Sequence, residues 1–218
     1  MGKNLRQQRR GRGTPRYLSP GHRFLGKPTY RNVHGKGKIV DIVHAPGRKT
    51  PVAVARFGTE NKLLIAGSDM YTGQEVEMLP ISGIPEGSKI FNVELAPGDG
   101  GRLCRSAGTF ATLISKEQNK CVVLMPSKQK KVLSLKCRAM IGSAAGGGAS
   151  EKPFMKAGTK YYTMRTLNRM WPHTSGVSMN PVDHPFGGKT KTGKHRTVSK
   201  HMPPGKKVGS ISPRRTGK

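Results

Sequence analysis

Two segments of this chain cannot build a core of their own, and that limits its fold more than any other feature. Residues 1–38 hold 11 Lys/Arg and no acid, and residues 184–218 hold ten, again with no acid. Such stretches bury too little apolar area to offset the entropy of ordering them, so they are expected to stay disordered until a polyanion neutralises them. The folded centre must come from residues 39–183, which carry the other 19 bases and all 11 acids. Over the whole chain 40 Lys/Arg face 11 Asp/Glu, a formal charge of +29. A field of that sign points to a polyanion as partner, and nucleic acid is the commonest one. No apolar run approaches the length of a bilayer span, and no apolar helical face accompanies the basic segments, so a membrane is not the expected partner. The opening "MGKNLRQQRRGRG" has the positive start of a signal peptide without its apolar segment. Arg6 also stands where N-myristoylation requires Ser or Thr. A cytoplasmic protein is expected.

The centre reads as β. "GKIVDIVHA" (37–45), "PVAVARFG" (51–58), "NKLLIAG" (61–67) and "EVEML" (75–79) are short runs rich in β-branched residues, separated by Pro-Gly, Gly-Thr and Gly-Ser-Asp turns. A second series follows: "SKIFNVEL" (88–95), "AGTFATLIS" (107–115), "KCVVLM" (120–125), "KVLSLK" (131–136) and "RAMIG" (138–142). This spacing is the rhythm of small barrels or sandwiches, with "PISGIPEGS" (80–88) as the boundary between the series. An apolar share of 33% is low for one large core, which favours small closed sheets. No long amphipathic helix is expected; residues 160–171 can hold a short one. Cys104, Cys121 and Cys137 are widely spaced and odd in number, so neither a disulfide framework nor a zinc site is indicated. They read as small buried hydrophobes.

"NPVDHPFGGKTKTGKH" (180–195) gathers the residue types of a catalytic or nucleotide site. It is not a phosphate-binding P-loop: counting back from Gly188-Lys189-Thr190 puts Asp183 where the first glycine must be, and a carboxylate there repels phosphate. Asp183-His184 could serve as a base and its orienter, but adjacent residues rarely face one another, and no nucleophile or oxyanion donor is legible nearby. Ser127-x-x-Lys130 with Lys191-Thr192-Gly193 imitates β-lactamase motifs without the Ser-Asp-Asn between them. The seven histidines do not cluster with ligand spacing. A proline-braced, tightly turned loop that contacts RNA is the better reading. "IGSAAGGGAS" (141–150) is either a flexible linker or a glycine-lined backbone open to close approach by phosphates.

"GVSMNPVDHPFGGK" (176–189) closely resembles the signature of the universal second protein of the large ribosomal subunit, the L-two family. "SKIFNVELAPGDGGRLCRSAGTFA" (88–111) is similar to a second long stretch of that family, and "RGRGTPRY" and "PPGKKVGSISPRRTGK" resemble the ends of archaeal or eukaryotic members. The resemblance implies an all-β fold of two small barrels, an oligonucleotide-binding-type barrel (36–82) and an SH3-like barrel with the Gly-rich segment (83–160). Basic extensions (1–35 and 161–218) flank them. It implies a non-enzymatic component of the large subunit that binds ribosomal RNA, supports assembly, subunit association and the peptidyl-transferase region, and touches other ribosomal proteins. It also implies contact with the small subunit at a bridge, and no DNA.

No cofactor is expected, though magnesium could be bound through RNA. His184 matches the family histidine discussed in connection with peptide-bond formation, a reaction that belongs to RNA. Phe186 stands where many bacterial members have a second histidine, and Ser175 where an arginine often precedes the glycine. The competing classes are a free-standing enzyme on a polyanion using His184, and a DNA-compacting protein.

Arg and Lys arms with exposed glycine backbone suit recognition by phosphate, 2′-OH and shape. The candidate RNA contacts in the first arm are Arg6, Arg9, Arg10, Arg12 and Arg16, with Lys36 at its end. In the centre they are Arg102, Arg105, Gly146, Gly147 and Gly148. The loop contributes Asn180, Asp183, His184, Gly187, Gly188 and Lys189. The last arm contributes Lys191, Lys194, Arg196, Arg214 and Arg215.

Overall fold

The structure is a computed structural model that describes residues 2–33, 35–189 and 196–213. It divides into two compact units, Pro20–Lys156 and a second made of Met1–Ser19 with Ala157–Lys218. The first unit is antiparallel β-sheet throughout.

Strands β1 (Lys36–Val43), β2 (Val52–Phe57), β3 (Glu60–Ile65) and β4 (Glu75–Glu77) form a sheet in the order β3-β2-β1-β4. Period-two burial is plain at the start of β1, where Gly37 and Ile39 are buried and Lys36, Lys38 and Val40 face outward. Gly58 and Thr59 make the two-residue link between β2 and β3, with Gly58 at φ +59°, a conformation that glycine reaches without a Cβ penalty. A register shift between Ile39 and Asp41 bends β1 against β2.

The run 75–79, read as one strand from its sequence, serves two sheets. Glu75–Glu77 pairs with β1, and β5 (Leu79–Pro80) pairs with β10 (Arg138–Ile141). Met78 between them is buried. The second sheet runs β5-β10-β6-β7-β8-β9, adding β6 (Lys89–Phe91), β7 (Ala111–Lys116), β8 (Lys120–Leu124) and β9 (Lys130–Ser134). Pro80 can sit there because β5 is an edge and its missing N–H breaks no ladder.

One cluster of buried side chains draws on both sheets, including Ile39, Leu64, Ile81, Ile90, Leu113 and Met140. All three cysteines are free and buried. Burial raises each thiol, Cys104 to about 11.

A polar node lies within this core. The Glu94 carboxylate is fully buried and accepts from the N–H groups of Gly98 (3.1 Å), Gly100 (3.1 Å) and Arg138 (2.9 Å), and from Arg138 Nη2 (3.1 Å). Arg138 Nη1 also donates to the Val33 carbonyl. The Tyr30 hydroxyl lies 2.7 Å from Asn92 O and 3.0 Å from Arg138 O. Burial, then the Glu94 charge, holds that phenol far above its ordinary pKa, so Tyr30 remains a neutral donor. Residues 28–33, which by charge alone read as arm, are thereby tied to the β unit.

The second unit joins the two ends of the chain. Helix α1 (Arg6–Gly11) has no buried residue, and its first turn is closed by the Leu5 N–H donating to Gln8 Oε1 at 2.7 Å. Helix α2 (Ala157–Thr166) falls close to where a short helix is expected and also buries nothing. Strands β11 (Thr197–Val198) and β12 (Ser210–Ile211) pair in parallel. Leu5 and Val208 are the unit's buried apolar side chains among the described residues. Sequence reading keeps the arms apart as separate tails. In the structure they share what little apolar surface they have.

Candidate nucleic-acid interface

The loop 176–189 owes its path to hydrogen bonds within itself. Asn180 O accepts from the N–H groups of Asp183 (3.0 Å) and His184 (3.2 Å), His184 O from Gly187 (2.9 Å), and Met179 O from Gly188 (3.2 Å). Pro181 and Pro185 stand at positions where no such donor is needed. The Phe186 N–H donates to His184 Nδ1 at 3.0 Å, which assigns the ring proton of the neutral imidazole to Nε2. The two rings lie 5.1 Å apart.

Three glycines make this packing possible. A Cβ on Gly176 would sit 2.2 Å from His184 Cε1, so the absence of a side chain there seats the imidazole. A Cβ on Gly187 would sit 2.3 Å from Asn180 O. The tight turn expected from the sequence takes its positive φ at Gly188, at +108°, whereas Gly187 is glycine because the Met179–Asn180 backbone crosses it.

Asp183 is half-buried and already paired within the protein. Its carboxylate pairs with Lys3 Nζ at 3.3 Å, while the Lys3 N–H donates to Val182 O at 2.8 Å. The first arm is thus stapled to the loop. In the 1–19/157–218 unit Asp183 is the only acid, set against 19 Lys/Arg. That unit carries +18 of the +29, on well under half of the residues.

Arg9, Arg10, Arg12 and Arg16 are exposed on this unit, as are Asn180, Gly188, Lys189 and Arg196. Arg9 Nε is held by Asn4 O at 2.9 Å and Arg10 Nη2 by Asn168 O at 3.1 Å. Arg6 is half-buried, and its Nη1 is buried without a hydrogen-bond partner among the described residues. Lys191, Lys194, Arg214 and Arg215 lie outside the described residues.

The remaining candidates belong to the β unit. Lys36 pairs with Glu75 at 3.6 Å, and Arg102 is exposed. Arg105 turns inward, donating to the carbonyls of Gly101 and Pro28. Burial, then the neighbouring Arg48 and Arg102 charges, pulls its guanidinium below the usual pKa. Gly146, Gly147 and Gly148 are exposed, with Gly146 at φ +83°. Gly147 packs against Gly108, where a Cβ would fall 2.6 Å from the Gly147 Cα. This backbone contact within the protein is a sufficient reason for glycine at position 108.

Sequence reasoning passed over Tyr17, Tyr161, Arg165, Arg169 and Trp171, which line a cavity with Arg6, Arg9, Arg10 and Arg16. The available signal was aromatic residues interleaved with bases between 160 and 171, a pattern that base stacking uses. Among the described residues, no group of three or more His, Cys, Asp or Glu could hold a metal ion. No helix there is long and apolar enough to cross a membrane.

A family model described as Ribosomal Proteins L2, C-terminal domain, matches residues 74–207. Similar chains include the large ribosomal subunit protein uL2 of Methanothermobacter thermautotrophicus, 48% identical over 239 aligned residues covering 100% of this chain and 99% of that one. The protein of the same name from Methanococcus maripaludis is 46% identical, with 100% of each chain covered. That from Methanosphaera stadtmanae is 44% identical, covering 100% of this chain and 99% of its own.

Proposed function

Because this chain belongs to the ribosomal protein L2 family, structural components of the large ribosomal subunit rather than enzymes, we propose that it binds large-subunit ribosomal RNA through its 1–19/157–218 unit. The observation that carries this reading is the charge of that unit: 19 Lys/Arg against a single acid, itself paired with Lys3. Arg6, Arg9, Arg10, Arg12, Arg16, Lys189 and Arg196 meet phosphate there, Arg bidentately and Lys as a point charge. Lys191, Lys194, Arg214 and Arg215 extend the same contact along the chain. The loop 180–189 presents its backbone and the His184 edge to RNA. Arg102 and the exposed Gly146–Gly148 backbone add contacts from the β unit.

The four-stranded sheet takes the part of the oligonucleotide-binding-type barrel and the six-stranded sheet that of the SH3-like barrel. Of the expected extensions 1–35 and 161–218, the parts that thread into RNA are 1–19 and 161–218, because residues 28–33 are tied to the β unit. Bound in this way, the protein supports subunit assembly and the peptidyl-transferase region, and it meets the small subunit at a bridge. His184 acts through loop geometry, since its Nδ1 is engaged by the Phe186 N–H.

The test is affinity for a large-subunit ribosomal RNA fragment as a function of salt. If about ten phosphates are neutralised, the log–log slope is about −7 to −9, and reversing three arm arginines to glutamate flattens it by roughly 2–3. A slope near zero refutes phosphate-driven binding. Equal affinity for duplex DNA of the same length favours a DNA-compacting protein instead.

A further inference from the structure

The cavity between α1 and the segment 165–174 has a composition that its protein neighbours do not explain. It measures about 320 Å³, at the lower end of the range of small-molecule pockets. Among the described residues six arginines line it and no acid does. Guanidinium groups converging on one space repel one another, and the arrangement is stabilised when an anion enters. Arg6, which lines this cavity, has its Nη1 buried without a hydrogen-bond partner among the described residues, a donor open to an acceptor.

Charge alone is not the whole composition. Tyr17, Tyr161 and Trp171 also form the wall, and the Lys160 ammonium lies 5.3 Å from the Trp171 ring centre. A pocket for phosphate alone gains nothing from three aromatic rings. Rings beside arginines are what an unstacked nucleobase with its own phosphate requires: a face to stack on and donors for the flanking oxygens. A duplex keeps its bases inside the stack and cannot supply one.

We infer that this cavity holds one unstacked nucleotide of a single-stranded RNA segment, its base against Trp171 and the tyrosines and its phosphates on Arg6, Arg16, Arg165 and Arg169. The inference rests on the RNA-binding reading above and adds to it a defined site and strand state. A neighbouring cavity of about 610 Å³ shares Arg6, Arg9 and Arg10 with this one and reaches Asn180 and His184. The strand therefore continues from the aromatic pocket along α1 to the 176–189 loop.

Trp171 is the only tryptophan of the chain, so its emission reports from this pocket alone. The experiment titrates the full-length protein with a single-stranded oligoadenylate, with an abasic ribose-phosphate oligomer of equal length, with a blunt RNA duplex and with inorganic phosphate. The oligoadenylate quenches Trp171, while the abasic oligomer binds about tenfold more weakly and leaves emission unchanged. Tyr161→Leu, at an exposed position on α2, and Arg165→Gln each weaken the quenched complex by roughly fivefold or more while leaving the folded signal intact. Quenching by phosphate or duplex equal to that by the single strand overturns the inference and makes the cavity a general anion site. Retained affinity for the large-subunit RNA fragment with Trp171 unquenched refutes the pocket and spares the RNA-binding reading. Loss of both refutes both.

Discussion

Replacing Glu94 by Gln changes one atom in a fully buried side chain, and the structure allows its cost to be worked out. The carboxylate satisfies four N–H donors, two on each oxygen. An amide can present only one oxygen. Whichever way it is turned, two donors meet an NH₂ group, and the Arg138 guanidinium loses its counter-ion. An orphaned buried donor costs about 1–3 kcal/mol, and breaking a buried ion pair from one side costs about 3–5 kcal/mol. Since these overlap, a total near 4 kcal/mol is expected.

Set against a domain stability of about 5–15 kcal/mol, that leaves a folded but weakened β unit. The readout is urea unfolding followed by far-ultraviolet dichroism, paired with thiol reactivity. Cys104, Cys121 and Cys137 are all buried in that unit and report its opening. Arg138→Met removes the other partner. The double variant should be less destabilised than the sum of the singles by roughly 1–3 kcal/mol. A cost below about 1 kcal/mol for Glu94→Gln, with the thiols as protected as before and additive singles, refutes the idea that this node is a charged, fully satisfied pair.

In reconstituted large subunits, His184→Gln should assemble and support peptidyl transfer with an unchanged pH profile, because the amide oxygen can accept from Phe186 as Nδ1 does. His184→Ala should harm docking of the loop. A His184→Gln particle that assembles normally yet transfers nothing, and lacks a wild-type ionisation near neutrality, would make His184 a proton carrier. Gly187→Val should abolish loop docking, as its Cβ would stand 2.3 Å from Asn180 O, whereas Lys189→Gln should only lower affinity by about the share of one phosphate contact. Normal assembly by Gly187→Val is the refuting result. The thiol of Cys104 is raised to about 11 by burial, so the folded state holds its proton more tightly than the unfolded chain. That stabilisation is complete below the unfolded thiol pKa near 9 and is lost as pH rises toward 11, on the order of 2 kcal/mol. Cys104→Ala should flatten the decline in β-unit stability over this window, and an identical decline in the variant refutes the assignment.

The β strands were legible in the sequence because β-branched runs and Gly or Pro turns act over a few residues. The split at Met78 was not, since it lies in the choice of neighbouring sheet, β1 for Glu75–Glu77 and β10 for Leu79–Pro80. Helix α1 left no trace: with no buried face it has no period to detect. The loop's prolines and glycines announced a tight turn, yet which glycine needs a positive φ and which needs empty space depends on where the Met179–Asn180 backbone passes. Arg105 and Asp183 look like surface charges in sequence. A carbonyl 77 residues away and a lysine 180 positions earlier occupy them instead. Contacts across such distances leave no local pattern.

The staple between Lys3 and residues 182–183 has a consequence for how the protein is made. Translation delivers the first arm at the start and its partners near the end, so the 1–19 segment emerges with nothing of its own unit to hold. At ordinary elongation rates of about 5–20 residues per second, roughly 10–30 s separate the appearance of Ser19 from that of Asp183. The β unit, complete by Lys156, can fold within that interval. The nascent chain therefore trails an unpartnered cationic ribbon through a polyanion-rich cytosol. Premature capture of that ribbon by stray nucleic acid competes with closure of the staple.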